Sequence, residues 1–133
     1  MVKKKNYKTK IYYEDTDAGG IVYYANYLKY FERARTELIY SLGFNHKKLK
    51  NLDTFIVVRS CYVDYEKPIK FEDEIEVISE FSKISPVRIN LVQYTKVKNE
   101  VKVKAKVELA VIDKSGKPKK MPEELYKSFK SCI

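Results

Sequence analysis

The chain has no tryptophan, and among its 133 residues it has only two cysteines, four glycines, four prolines and one histidine. Cys61 and Cys132 are too few and too widely separated to form a disulfide framework, so a reducing, cytoplasmic setting is expected. His46 stands alone in a lysine-rich connection with no second cluster of ligand-type residues, which argues against a metal site. No long apolar run is present either: the longest helix-like stretch carries Lys29, Glu32, Arg33, Arg35 and Glu37, which excludes a membrane span. The start Met1-Val2-Lys3-Lys4-Lys5 lacks the apolar core of a signal peptide, and the lysines allow at most peripheral membrane association.

What is there describes an ordinary globular chain with an unusual excess of tyrosine. The sequence is 44% hydrophobic and 14% aromatic, with 12 tyrosines, and its length suits one compact domain over residues 1–133. A formal charge of +9 favours polyanionic partners: nucleic acid, an anionic membrane or a phosphate-bearing small molecule. The charge is mostly scattered lysine, with arginine only at Arg33, Arg35, Arg59 and Arg88. Without zinc-finger spacing, an RNA-binding aromatic signature or a basic helix, nucleic acid is not expected as a partner.

Periodicity sets the order of elements. Tyr7 to Tyr13 reads as a strand, and Glu14 to Gly20 is polar and glycine-rich. From Val22 to Leu42 a helix is expected, with Val22, Ala25, Leu28, Phe31, Arg35, Leu38 and Leu42 along one face and Gly43 as its stop. Four strands follow: Thr54 to Tyr65; an alternation from Ile69 through Phe81; Val87 to Val97; and Val101 to Val111, where apolar residues alternate with Lys102, Lys104, Lys106 and Glu108. Lys96 to Glu100 suits a hairpin turn, and Pro122 with Glu123 and Glu124 opens a short helix to about Lys130. The pattern is α+β: one long amphipathic helix laid across an antiparallel sheet of about five strands, with the remaining face or edge left to a partner subunit.

The segment richest in chemistry is Tyr13-Glu14-Asp15-Thr16-Asp17-Ala18-Gly19-Gly20-Ile21-Val22-Tyr23-Tyr24. It places three carboxylates and two glycines just before a helix start. Unpaired N–H groups at such a start can hold a developing oxyanion, and a neighbouring carboxylate can serve as nucleophile or general base. Aspartate, threonine and glycine are also what any turn and helix cap would use, so local chemistry does not choose among Glu14, Asp15 and Asp17.

The pattern Tyr13-x-Asp15-Thr16-Asp17-x-x-Gly20-x-Val22-Tyr23-x-x-x-Tyr27, continued by the strand Val57-Val58-Arg59-Ser60, resembles the 4-hydroxybenzoyl-CoA thioesterase family, and within it the YbgC-type branch associated with the Tol-Pal system. That resemblance implies a hotdog fold, with a central helix wrapped by an antiparallel sheet, in dimers and often tetramers whose active sites lie between subunits. It implies hydrolysis of acyl-CoA without a cofactor. It makes Asp17 the catalytic carboxylate and the Tyr24 backbone N–H the oxyanion donor, where many branch members carry histidine. Gly20, Val22, Tyr23, Tyr27 and Arg59 would line the substrate. Lys83, Ser85 and Arg88 match a region that contacts the coenzyme A nucleotide in relatives. The competing reading is a scaffold that docks acyl carrier protein or phospholipid-synthesis enzymes, for which the positive charge is equally suited. Glu32, Glu37 and Cys61 are weaker catalytic candidates: the first two share a charged helix face with Arg33 and Arg35, and Cys61 has no visible histidine partner.

Overall fold

The computed structural model describes residues 4–133; Met1 to Lys3, and with them part of the expected domain and of the lysine-rich start, lie outside the described residues. Five strands form one antiparallel sheet: β1 (Lys4–Lys10), β2 (Phe55–Tyr65), β3 (Glu74–Ile84), β4 (Arg88–Val97) and β5 (Glu100–Ile112). Their spatial order is β1-β3-β4-β5-β2, so β1 and β2 are the two edges. Three helices accompany them: α1 (Tyr27–Ser41), α2 (His46–Asn51) and α3 (Glu123–Lys130). The α+β order and five-stranded sheet expected from periodicity are present.

The inner sheet face is made of alternate residues, Ile75, Val77 and Phe81 on β3, Ile89 and Leu91 on β4, and Val103, Ala105, Val107 and Leu109 on β5, all buried. Against it lie Tyr27, Tyr30, Phe31, Ala34 and Leu38 of α1, each large apolar side chain contributing about 1.5–3 kcal/mol by leaving water. At the other end of the sheet Phe129 of α3 meets Phe81, with ring centroids 5.0 Å apart. The β4–β5 turn is the expected hairpin: Val97 pairs with Glu100, and Lys98 (φ 48°) and Asn99 (φ 69°) supply the two left-handed residues that a type I′ turn needs.

The structure revises several boundaries. The first strand runs Lys4–Lys10 rather than Tyr7 to Tyr13, because Tyr12 and Tyr13 are drawn into a 3₁₀ turn over Tyr13–Asp15. The long helix begins at Tyr27, behind a second 3₁₀ turn at Tyr24–Asn26, and not at Val22. Val22 is extended and buried, its N–H donating to the Ile69 carbonyl at 2.8 Å. Of the expected helical stripe Phe31 and Leu38 are buried, whereas Leu28 is exposed; the true stripe, Tyr27-Tyr30-Phe31-Ala34-Leu38, runs through tyrosines whose polar tips hide their apolar bulk from a simple hydrophobic pattern. Ile69 and Phe71 precede β3 instead of opening it, since a turn with Glu72 at φ 73° and the Asp73 carboxylate on the Lys70 N–H breaks the strand. The lysine-rich connection holds helix α2, capped by the Asn45 side chain on the Lys48 N–H at 2.8 Å, so His46 opens a helix rather than sitting in a loop. Pro122 occupies the cap before α3 rather than its first turn.

The two edges of the sheet are covered unequally. Helix α1 packs on β1 and β3 and leaves β2, the opposite edge, largely bare. Along β2, Val57, Val58, Tyr62 and Tyr65 are all exposed.

Candidate active site

The chain between β1 and α1 is built around Asp15. Its Oδ2 accepts from the Tyr12 N–H at 2.9 Å, closing the 3₁₀ turn, while its carbonyl accepts from the Tyr23 N–H at 3.0 Å and from Asn26 Nδ2 at 2.8 Å. Asp15 therefore ties the end of β1 to the start of α1 and is spent on structure. The buried Tyr30 hydroxyl feels the Asp15 carboxylate but has no well-aligned hydrogen bond; burial first, and that charge second, push its titration above the usual tyrosine range.

Between the two ties, residues 16–22 fold into a narrow loop. Thr16 bridges Val22, the Asp17 N–H donates to the Ile21 carbonyl at 2.9 Å, and the Gly20 N–H donates to the Asp17 carbonyl at 3.1 Å. The Asp17 carboxylate stands exposed at the tip, where Oδ1 accepts from the Gly19 N–H at 2.8 Å. The two glycines serve different needs. A Cβ on Gly19 would sit 3.3 Å from that same Oδ1 and press on the carboxylate, whereas Gly20 needs its φ of +79°.

This loop is held from behind by the crossover from β2 to β3. Ile21 bridges Lys70, and the Phe71 N–H donates to the Gly20 carbonyl at 3.0 Å, with Ile69 buried beneath. Beside the loop, Tyr24 opens the 3₁₀ turn that leads into α1, where the first N–H groups of a helical segment have no acceptor within it. Its exposed ring lies 5.1 Å from Tyr23 and 6.2 Å from Tyr65, and the Tyr65 hydroxyl donates to the Tyr24 carbonyl at 3.2 Å. Tyr27 is buried, 5.5 Å from the Tyr65 ring, and its hydroxyl is pushed up to about 12, burial outweighing the opposing Ile69 backbone hydrogen bond. The arrangement sets an exposed carboxylate at the tip of the loop whose base leads into the helix start and its exposed aromatic rings.

The structure thus brings Asp17, Gly20, Tyr23, Tyr24 and Tyr27 together, while Val22 is core beneath them. It sets the other expected residues apart. Arg59, at a bulge in β2, donates to Glu108 Oε2 at 2.8 Å on the outer sheet face, and Arg88 Nε is 3.9 Å from the same oxygen. Ser85 accepts from the Arg88 N–H at 3.0 Å and shapes the β3–β4 turn, near exposed Lys83. Along β2 the run from Tyr65 back to Arg59 spans about 20 Å, so within one subunit these groups are remote from Asp17. Glu32, Glu37 and His46 are exposed away from the loop, and burial pushes the Cys61 thiol up, against a nucleophilic role. Among the described residues no cluster of metal-ligating side chains exists.

Sequence reasoning missed Asn26 and Tyr65 and undervalued Gly19. Asn26 was legible as a polar residue at a helix start; Tyr65, distant in sequence and joined to Tyr24 only by folding, gave no local signal.

A central helix on a five-stranded antiparallel sheet, with a carboxylate loop at the helix start, defines the hotdog class, and neighbouring solved structures share it. A dihydroxynaphthoyl-CoA (DHNA-CoA) thioesterase from Staphylococcus aureus matches at TM-score 0.91 and 24% identity, over 98% of this chain and 91% of that one, and shows the fold. A probable thioesterase from Bartonella henselae matches at TM-score 0.85 and 31% identity, over 90% of this chain and 100% of that one. Residues 12–129 match the Thioesterase-like superfamily. The acyl-CoA thioesterase YbgC of Haemophilus influenzae is 36% identical over 126 residues, covering 93% of each chain. The chain belongs to the Thioesterase-like superfamily and is a relative of its YbgC members.

Proposed function

We propose that this protein hydrolyses acyl-CoA thioesters to free acid and coenzyme A, with the Asp17 carboxylate as the reacting group and the Tyr24 N–H as oxyanion donor. The observation that carries the reading is the different placement of two neighbouring carboxylates: that of Asp15 is half-buried, takes the Tyr12 N–H on Oδ2 and lies against the buried Tyr30 hydroxyl, while that of Asp17 is exposed at the loop tip with the Gly19 N–H on its Oδ1. The names of the YbgC relatives, acyl-CoA thioesterase and acyl-CoA thioester hydrolase, support the substrate class.

A thioester needs little more than a nucleophile and a donor for its carbonyl oxygen. With the carbonyl oxygen on the Tyr24 N–H, either the Asp17 carboxylate or a water it deprotonates adds to the carbonyl carbon. The C–S bond then breaks, the thiolate of coenzyme A leaves and takes a proton, and one water is consumed in releasing the acid. In the first route Asp17 forms an anhydride with the acyl group, and water attacking its Asp17 carbon leaves 18O in Asp17 after a single turnover in 18O-water while an Asp17 oxygen departs with the acid; in the second route the label goes to the acid and Asp17 stays unlabelled. The exposed β2 edge is proposed to pair with β2 of a second copy, closing the aromatic rim and bringing Arg59, Lys83, Ser85 and Arg88 of one subunit toward the loop of the other.

The test is release of free thiol from acyl-CoA. Asp17→Ala is expected to lower kcat by about 10²–10⁴-fold with melting temperature and oligomer unchanged, because the side chain is exposed. Turnover equal to the unsubstituted protein in both Asp17→Ala and Asp17→Asn would reject Asp17 as the reacting group.

A further inference from the structure

Between α1 and the uncovered β2 lies a groove of about 410 Å³, lined by Ile39, Leu49, Ile56, Val58 and Leu109, and by Arg35. Helix and strand run along it in opposite senses, since Tyr65 touches the start of α1 while Val58 and Ile56 stand near its end. The groove therefore shares the seam that begins at Tyr24. These aliphatic side chains are what an acyl chain would contact; polar groups of Glu32, Thr36, His46 and Thr54 share the lining, and Arg35 is its half-buried cation.

Arg35 is half-buried, and its guanidinium makes one side-chain hydrogen bond, Nη1 to Gln93 Oε1 at 3.2 Å. That bond is to a neutral amide already engaged, since Gln93 Nε2 donates to the Phe31 carbonyl at 3.0 Å and to Ser79 Oγ at 2.8 Å. Among the described residues no carboxylate lies within ion-pair distance of Arg35. Glu32 lines the same groove and acts on it from farther off, but it is exposed and does not pair with it. A guanidinium offers five donors in a planar fork, and a partly buried cation without a carboxylate is costly to keep. Burial also weakens its hold on its proton relative to an ordinary arginine, with Cys61 and Glu32 acting in the opposite sense; it remains a cation throughout the working pH range.

We infer that Arg35 is a specificity-determining residue that receives a carboxylate at the far end of the acyl chain, making ω-carboxyacyl-CoA thioesters the preferred substrates. The inference rests on the thioesterase reading above. Geometry sets the length: the helical rise from Tyr24 to Arg35 is about 16 Å, and a helical side chain leans back toward the N-terminus, so the carboxylate of a medium-chain diacid reaches the guanidinium while that of a short one does not. A fork facing a carboxylate also forms two parallel hydrogen bonds, which a methyl terminus cannot.

The experiment compares kcat/KM for adipoyl-, suberoyl- and sebacoyl-CoA with hexanoyl-, octanoyl- and decanoyl-CoA on the full chain. The diacid-to-monoacid ratio should rise with length and exceed about tenfold for suberoyl- or sebacoyl-CoA, as one charge-assisted pair predicts. Arg35→Gln should bring that ratio to about one or below, Arg35→Lys should restore part of it, and Glu32→Gln should raise it. Brisk hydrolysis of the monoacid thioesters with a ratio near one in the unsubstituted protein would overturn the inference and leave the thioesterase reading standing, with no variant needed. A ratio that survives Arg35→Gln would overturn it as well. Failure to hydrolyse any of the six thioesters would remove both.

Discussion

Strands β5 and β2 are neighbours with similar sequences and opposite fates. Both are long, both are rich in valine, and ten residues of one are paired to the other from Phe55↔Ile112 to Tyr65↔Val103. β5 has β4 on its other side and Val103, Ala105, Val107 and Leu109 sealed in the core. Among the described residues β2 has no strand beyond it and little of α1 against it, and Val57, Val58, Tyr62 and Tyr65 are exposed while only Ile56 and Val63 pack partly on the core. One half of the molecule is thus finished within the chain and the other is not. The Tyr24–Tyr65 contact and the Arg35 groove both lie along the unfinished side. A finished surface has nothing left to offer a ligand; an apolar edge held open by a rigid core does.

Matched side-chain truncations on either side of β5 should affect the two strands most unequally. Leu91 on β4 stands opposite Val107 and is 1% exposed, while Val58 on β2 stands opposite Leu109 and is 50% exposed. Leu91→Ala should cost about 2–5 kcal/mol, the sum of lost transfer energy and a cavity that close packing cannot refill. Val58→Ala should cost less than about 1 kcal/mol within the subunit. Urea unfolding of both variants at several protein concentrations would check this. A larger loss at Val58 that shrinks on dilution would mean that a second subunit covers β2; one independent of concentration would show that the open half is more closed than its exposure indicates.

A smaller effect is expected at Gly20, where the loop itself is tested. With φ at +79° and no atom within 4 Å of the place an alanine methyl would take, alanine meets strain but no clash. Gly20→Ala should therefore destabilise by about 1–2 kcal/mol, the ordinary cost of a left-handed non-glycine residue, and lower kcat because the strained turn carries Asp17. Gly19→Ala should leave stability nearer to the original yet still lower kcat, since its methyl presses on Asp17 Oδ1 at 3.3 Å. Circular-dichroism melts beside the thiol-release assay separate the two.

How far the sequence revealed this molecule follows from the range of the forces involved. β5 and α3 were legible because alternation, a turn and a proline are local and the burial they report is local too. The helix start was misplaced because Val22 continues a helical spacing in sequence, while the crossover, much later in the chain, claims its N–H through Ile69. Asp17 could not be separated from Asp15 by local chemistry, since both suit a turn; the difference lies in Tyr30 of α1, which folding sets against the half-buried Asp15 carboxylate while that of Asp17 stays exposed. Arg35 looked like a flaw in an apolar stripe, and only the bare β2 turns that flaw into a cation facing a groove.

The smallest change tests whether β2 takes part in the chemistry at all. The Tyr65 hydroxyl donates to the Tyr24 carbonyl, the peptide group next to the proposed oxyanion donor, and the ring packs against both Tyr24 and Tyr27. Tyr65→Phe keeps the rings in contact and removes one neutral, partly exposed hydrogen bond at 3.2 Å, so about 0.5 kcal/mol, or roughly a twofold fall in kcat, is expected. Tyr65→Ala also strips the ring from the helix start and should cost several times more. If the alanine variant alone is slow, β2 serves the site by packing. If phenylalanine is as slow as alanine, the hydroxyl is what aims the peptide, and the exposed edge reaches directly into the oxyanion site. If neither slows the reaction, the helix start is set entirely by Asp15 and Asn26 from the closed side, and the open half contributes its groove but none of its rigidity.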